Sequence, residues 1–200
     1  MITYIDGILA EKNPANAIIE CAGIGYLLNI SLNTFSQLGN IGEKCKLYTH
    51  LVIKSEVTTP VGVSLYGFAA ENERNVFISL ISVSGVGYNT ARLMLSSLTA
   101  EEVVSAIINE NVGVFQKVKG IGTKTAQKII LDLKDKFTKL KPQSDILMPS
   151  YNKNIDEALS ALVVLGFPRN LAAKAMEKIG KALPADSSVE QLIKQALQVL

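Results

Sequence analysis

Two short segments of this 200-residue chain carry residue types suited to holding a phosphate group, Gly85-Val86-Gly87 and Gly120-Ile121-Gly122. Each puts an apolar residue between glycines and sets a threonine three positions on, at Thr90 and Thr125. The surrounding residues align without gaps at an offset of 35, with Val83/Val118, Gly85/Gly120, Gly87/Gly122, Thr90/Thr125, Ala91/Ala126 and Leu98/Leu133 identical. Glycine lets a backbone turn through positive φ and approach a ligand closely. A helix opening just after such a turn presents N–H groups that have no intrahelical partner, together with the positive end of its dipole. That combination binds anionic oxygens. A Gly-x-Gly can also be a plain tight turn between packed helices, and recurrence at a fixed spacing favours the binding reading. A dinucleotide-binding fingerprint fits poorly, because that motif needs a preceding strand and a third glycine, which neither hairpin supplies.

The charge distribution points the same way. The chain has 20 Lys and Arg against 18 Asp and Glu, a formal +2. Residues 1–68 hold four basic against five acidic residues, 69–143 ten against seven, and 144–200 six against six. Lys117 to Lys141 alone carries eight lysines against Asp132 and Asp135, or +6 in 25 residues. A local basic patch on a nearly neutral chain fits a polyanion bound at one place, although a solvated helix face has the same composition.

The elements that must position these residues fall into three segments. Residues 1–68 read as β: Ile2–Leu9, Ala17–Cys21, Gly25–Ile30, Lys46–Lys54 and Ser64–Phe68 are short apolar runs separated by turn residues. A short helix falls over 32–38, capped by Asn33 or Thr34. Five strands with a helix between the third and fourth match an oligonucleotide/oligosaccharide-binding (OB) barrel, with another small barrel as the alternative. From Ala70 the period becomes helical, giving helices over Asn72–Val83, Tyr88–Leu98, Ala100–Glu110, Gly113–Val118 and Thr123–Leu140. Prolines 142 and 149 then break the pattern, so 142–152 reads as a flexible linker. Three amphipathic runs, Ile155–Leu165, Pro168–Ile179 and Ser188–Val199, form a C-terminal three-helix bundle. The domains are therefore 1–68, 69–141 and 153–200.

Hydrophobic residues make up 48% of the chain and mean hydropathy is +0.26, which excludes intrinsic disorder. No apolar run reaches the roughly 18 residues that cross a bilayer, and the N-terminus lacks a signal-peptide pattern. Cys21 and Cys45 show no metal-ligand spacing and read as reduced, buried small residues. A cytoplasmic protein is expected, with no metal and no cofactor.

Gly7-Ile-Leu-Ala-Glu-Lys, Gly23-Ile-Gly-Tyr, Tyr48-Thr-His, Leu65-Tyr-Gly-Phe, Val118-Lys-Gly-Ile-Gly-Thr-Lys-Thr-Ala and Ala161-Leu-Val-Val-Leu-Gly-Phe occur here in one order. With the paired hairpins, which look like a tandem helix-hairpin-helix domain, they make the whole chain resemble the bacterial RuvA family of Holliday-junction-binding subunits. The resemblance implies a non-enzymatic adaptor that acts in recombination and DNA repair, including the SOS response. It implies a homotetramer that holds a four-way junction open, two tetramers per junction being a further option. The hexameric RuvB ATPase would bind the C-terminal bundle, the RuvC resolvase would be a further partner, and no membrane would be involved.

Residue by residue, Gly120, Gly122, Lys124 and Thr125 match the family's phosphate-contacting positions, with Lys117 and Lys119 beside them. Gly85, Gly87 and Thr90 match in the first hairpin, but Asn89 stands where a lysine is common. The family carries an acidic pin, usually two adjacent acids, in the hairpin before Leu65. Here that hairpin is longer and holds only Glu56, which reads either as a one-acid pin or as an ordinary exposed charge. Phe167, Leu165, Leu162, Leu171 and Met176 are the candidates for docking the motor, with Phe167 foremost, and each has a core reading as its alternative.

Two readings from other classes stand against this one. Helix-hairpin-helix elements also occur in DNA glycosylases, which place an aspartate downstream. Asp132 and Asp135 lie there, but amid lysines that read as i,i+4 partners: Lys128 or Lys136 for Asp132, and Lys139 for Asp135. The single histidine, His50, reads as structural or junction-facing, and no Walker-type nucleotide motif occurs. A general single-strand binder would use a basic, aromatic barrel face, which the −1 charge of residues 1–68 opposes.

Overall fold

The structure is a computed structural model and describes residues 2–56, 59–140, 150–180 and 187–200. Strands β1 (Tyr4–Lys12), β2 (Asn16–Cys21), β3 (Ile24–Ile30), β4 (Lys44–Glu56) and β5 (Thr59–Phe68) close a barrel in the order β1-β2-β3-β5-β4. Helix α1 (Leu32–Gln37) joins β3 to β4. All pairings are antiparallel except β3 with β5, which is what an OB-type barrel requires. The inward positions Ile5, Leu9, Ala17, Ile19, Leu28, Ile30 and Leu47 alternate with outward ones and fill the interior. Gly7 leaves no room for a side chain, because a Cβ there would lie 2.1 Å from the Glu20 carbonyl oxygen.

Several boundaries differ from the sequence expectation. β1 runs on to Lys12 because a bulge between Leu9 and Glu11 lets it keep pairing with β2. β4 and β5 extend to Glu56 and Thr59 because they pair with each other up to Glu56↔Thr59. The cap of α1 is Ser31, whose hydroxyl accepts the Thr34 N–H, and neither Asn33 nor Thr34 serves as cap. Asn33 instead donates to the carbonyls of Leu95 and Leu98 at 2.7 and 2.9 Å.

Helices α2 (Glu71–Ile81), α3 (Tyr88–Ser97), α4 (Ala100–Ile108), α5 (Val112–Gln116) and α6 (Thr123–Leu140) follow. α4 opens with a reciprocal capping box between Thr99 and Glu102. The core of these helices continues onto the outer face of the barrel, where Val52, Tyr66 and Phe68 meet Val76, Phe77 and Leu80. Phe77 stands at the centre, with ring centroids 4.9 Å from Phe68 and 5.0 Å from Tyr66.

Residues 1–141 form one compact unit and 142–200 a second. Residues 141–149, which hold most of the expected linker, lie outside the described residues. The second unit packs α7 (Ser150–Val164), α8 (Arg169–Gly180) and α9 (Val189–Leu197) around Ala158, Leu162, Ala172, Met176 and Leu192. α7 begins at Ser150, five residues before the expected Ile155. It ends in a Schellman motif: Gly166 at φ 101° donates to Val163 at 3.0 Å and Phe167 donates to Leu162 at 3.1 Å.

Candidate nucleic-acid interface

The first hairpin runs from the end of α2 through Gly85-Val86-Gly87 into α3, and the second from α5 through Gly120-Ile121-Gly122 into α6. They are built alike. Val83 and Val118 are buried and accept, through their carbonyls, the N–H groups of Val86 and Ile121 at 3.0 and 3.1 Å. Val86 and Ile121 plug into the helical core, while the residues on either side of each are exposed. Gly85 and Gly120 hold φ of 95° and 92°, a region that side chains rarely adopt.

Gly87 and Gly122 are glycines for a different reason. Gly87 has an ordinary extended φ of −79°, and Gly122 is not among the left-handed residues. A Cβ on either would meet nothing within 4 Å. Neither backbone strain nor packing within the chain demands glycine at these two positions. What an absent side chain leaves is open space in front of a helix start. No side chain caps α3 at Gly87, so first-turn amides such as those of Asn89 and Thr90 have no intrahelical acceptor. The amides of Lys124 and Thr125 stand in the same position at the start of α6.

The expected site residues thus come together as two equivalent clusters. Gly85, Gly87 and Asn89 are exposed with Thr90 half-buried, and Gly120, Gly122 and Lys124 are exposed with Thr125 half-buried. Lys117 and Lys119 are exposed beside the second cluster. Among the described residues, Lys117, Lys119 and Lys124 carry no ion pair, whereas Lys134 is paired with Glu110. Lys136 donates to Ser79 at 2.9 Å, so Asp132 has neither Lys128 nor Lys136 as an ion-pair partner, contrary to the i,i+4 expectation. Lys117, Lys119 and Lys124 therefore put unpaired positive charge around the second hairpin. One tie has no counterpart in the first: Gln116 Nε2 donates to Thr123 Oγ1 at 2.7 Å and clasps the ends of α5 and α6.

Glu56 ends β4 opposite Thr59, and its side chain lies outside the described residues. His50 is not an exposed group. Its ring lies edge-on to Phe77 at 5.8 Å, and burial, followed by the Arg74 cation nearby, holds its pKa below the usual histidine value.

In the second unit, Leu162 and Met176 belong to the core at 0% and 3% exposure, which removes them from any docking surface. Phe167 is half-buried against the same core, as the Schellman hydrogen bonds dictate. Leu165 and Leu171 are exposed at 60% and 47%. Val164, which sequence reasoning misses, is the most exposed of this group at 87%.

Among the described residues no helix is long and apolar enough to cross a membrane, and no group of three or more His, Cys, Asp or Glu could hold a metal. The family model described as RuvA N terminal domain matches residues 1–67. The SAM-like helix-hairpin-helix tandem matches 77–135, and the RuvA C-terminal domain matches 153–200. Three relatives bear the name Holliday junction branch migration complex subunit RuvA. They come from Christiangramia forsetii, Flavobacterium psychrophilum and Bacteroides fragilis, and are 52%, 48% and 45% identical to this chain. Each alignment covers the full length of both proteins.

Proposed function

Because the chain belongs to the RuvA family, we propose that it is the Holliday-junction-binding subunit of a branch migration complex, with its two glycine hairpins as the DNA grips. The observation that carries this reading is the pair of glycines, Gly87 and Gly122, whose missing side chains serve nothing inside the chain. Each leaves room for a phosphate to reach the first amides of α3 or α6. Backbone N–H groups and lysines contact phosphates whatever the base sequence, and a protein that must stay bound while a junction slides needs that indifference.

The chain is the DNA-binding subunit and not the motor; ATP hydrolysis belongs to the RuvB partner. Four copies surround the junction, each offering two hairpins to a duplex arm, with the β4–β5 hairpins and their Glu56 residues gathered at the centre. There a carboxylate repels strand phosphates. The 153–200 bundle docks on RuvB through Val164, Leu165 and Leu171, with the half-buried Phe167 at the edge of that patch. Leu165→Asp puts a charge on this surface without opening the core. It should leave junction binding intact and abolish motor stimulation, as should a chain ending at Lys141. Branch migration by either variant at the full-length rate would refute this docking surface.

Electrophoretic mobility of the chain with a synthetic four-way junction, against linear duplex of equal length, tests the function. Retention of the junction at concentrations that leave the duplex free is expected, and equal affinity for both would contradict it. Addition of a poly-pyrimidine single strand as competitor separates this reading from a general single-strand binder.

A further inference from the structure

One buried ionisable group takes no part in the grip described above. Glu73, on the first turn of α2, is 5% exposed. Both its carboxylate oxygens are engaged: Ser31 Oγ donates to Oε1 at 2.5 Å and Thr34 Oγ1 donates to Oε2 at 2.7 Å. Each hydroxyl is also an acceptor, Ser31 Oγ for the Thr34 N–H at 2.9 Å and Thr34 Oγ1 for the Ala69 N–H at 3.1 Å. Glu73 therefore ties α2 to the capped start of α1 and to the backbone that leaves β5. Every polar atom of this cluster is satisfied, as a buried polar network requires.

The rest of the contact between barrel and helices is aromatic and aliphatic, with polar ties nearer the surface: Arg74 donates to the Thr3 carbonyl, Arg92 to the Ala15 carbonyl, and Asn33 to the carbonyls of Leu95 and Leu98. Phe77 lies between Phe68, Tyr66 and His50, and Tyr66 stacks on Tyr88 at 6.0 Å. Burial of apolar surface is non-directional, so the tilt of α2 falls to its hydrogen bonds to the barrel; those of Glu73 are paired and buried from water, whereas that of Arg74 is exposed. Hydrogen bonds are directional. From Glu73 to the end of α2 at Ile81 is about 12 Å, and the first hairpin lies beyond. A tilt of about 10° at Glu73 would displace that hairpin by about 2 Å, more than a hydrogen bond to phosphate tolerates.

We propose that Glu73 is a positioning residue that fixes the angle at which the barrel carries the first hairpin, and so sets the preference for a four-way junction over a single duplex. This rests on the junction-binding reading above. A duplex can re-seat itself on a displaced hairpin. A junction held by four copies offers its arms at fixed angles and cannot.

Full-length Glu73→Ala, Glu73→Gln, Ser31→Ala and Thr34→Val test it, with thermal melting to establish folding. The readouts are affinity for junction, affinity for duplex of equal length, and energy transfer between dyes on the ends of adjacent junction arms. Glu73→Ala should lose junction affinity by about tenfold or more, the worth of one charge-assisted hydrogen bond, while duplex affinity stays within about twofold. Glu73→Gln, which keeps the shape and most of the bonds, should restore the ratio. If Glu73→Ala fails to fold, Thr34→Val decides, with a smaller loss in the same direction expected. A folded Glu73→Ala or Thr34→Val with an unchanged junction-to-duplex ratio and unchanged arm geometry would overturn the proposal. A wild-type chain without junction preference would overturn the functional reading itself, together with what rests on it.

Discussion

The two hairpins share a backbone and differ in charge and in support. Positive φ at Gly85 and Gly120, the buried plugs Val86 and Ile121, and the open space before Gly87 and Gly122 repeat closely. Charge does not repeat. The second hairpin has Lys117, Lys119 and Lys124, whereas the first has Asn89 in the place of Lys124. Support differs in the opposite sense. The first hairpin follows a helix locked to the barrel by Glu73, Phe77 and Arg74, the last donating to the Thr3 carbonyl at 3.0 Å. The second follows a five-residue helix held by the Gln116–Thr123 clasp. Among the described residues the hairpin geometry thus occurs twice, the cluster of unpaired lysines once, and the lock to the barrel once. On the proposed function, the duplicated hairpins divide the work between aiming and holding.

The largest expected effect tests the shared backbone. Gly122→Val should lower junction affinity by about 10²-fold or more, since it blocks two charge-assisted bonds at about 1.5–3 kcal/mol each. Its circular dichroism and melting should stay native, because a Cβ there meets nothing and φ is ordinary. Gly87→Val should act likewise but more mildly. Gly120→Ala is the contrasting case: φ of 92° strains any side chain, so about 1–2 kcal/mol of stability should be lost. Unchanged binding by a folded Gly122→Val would break the comparison at its base.

A smaller effect tests the difference in charge. Lys124→Ala should flatten the log–log dependence of affinity on salt by roughly 0.9 for each phosphate that is no longer neutralised. Asn89→Lys should steepen it by a similar amount and raise affinity at low salt. An equal drop in affinity at low and high salt for Lys124→Ala would mean that Lys124 does not touch phosphate.

The smallest effect concerns the support under the first hairpin. In the folded state burial first and the Arg74 charge second lower the pKa of His50, while the unfolded chain binds a proton near pH 6.5. Stability should therefore fall as pH drops through 6.5 towards the lowered folded value. His50→Gln should flatten the melting temperature across that window, and a pH profile indifferent to the substitution would show that His50 does not titrate there.

The hairpins are legible in the sequence because their signal is local. Two glycines, one apolar plug and a following helix lie within a few residues, and the repeat at an offset of 35 doubles the signal. The barrel is legible in its strand count and less so at its edges. β4 and β5 are extended by pairing with each other, which neither strand's own pattern reveals. The cap of α1 escapes a local reading because Thr34 is drawn to Glu73, 39 residues away, leaving Ser31 to do the capping. Glu73 itself looks like any first-turn acid until the barrel is placed against it. In the C-terminal bundle, helical spacing offers several apolar faces at once. Leu162 and Leu165 cannot be told apart as core and surface before the helices pack.

Two glycine hairpins that grip DNA must leave their mark on particular phosphates. Ethylation interference on a four-way junction bound by the full-length chain reads this one phosphate at a time. Two clusters of sensitive phosphates are predicted on each arm, at the same distance from the crossover in junctions of unrelated sequence, with one cluster missing from the Gly122→Val pattern. Sensitivity that follows base sequence, or a single cluster unaffected by that substitution, would contradict the claim that paired glycine hairpins grip the DNA backbone.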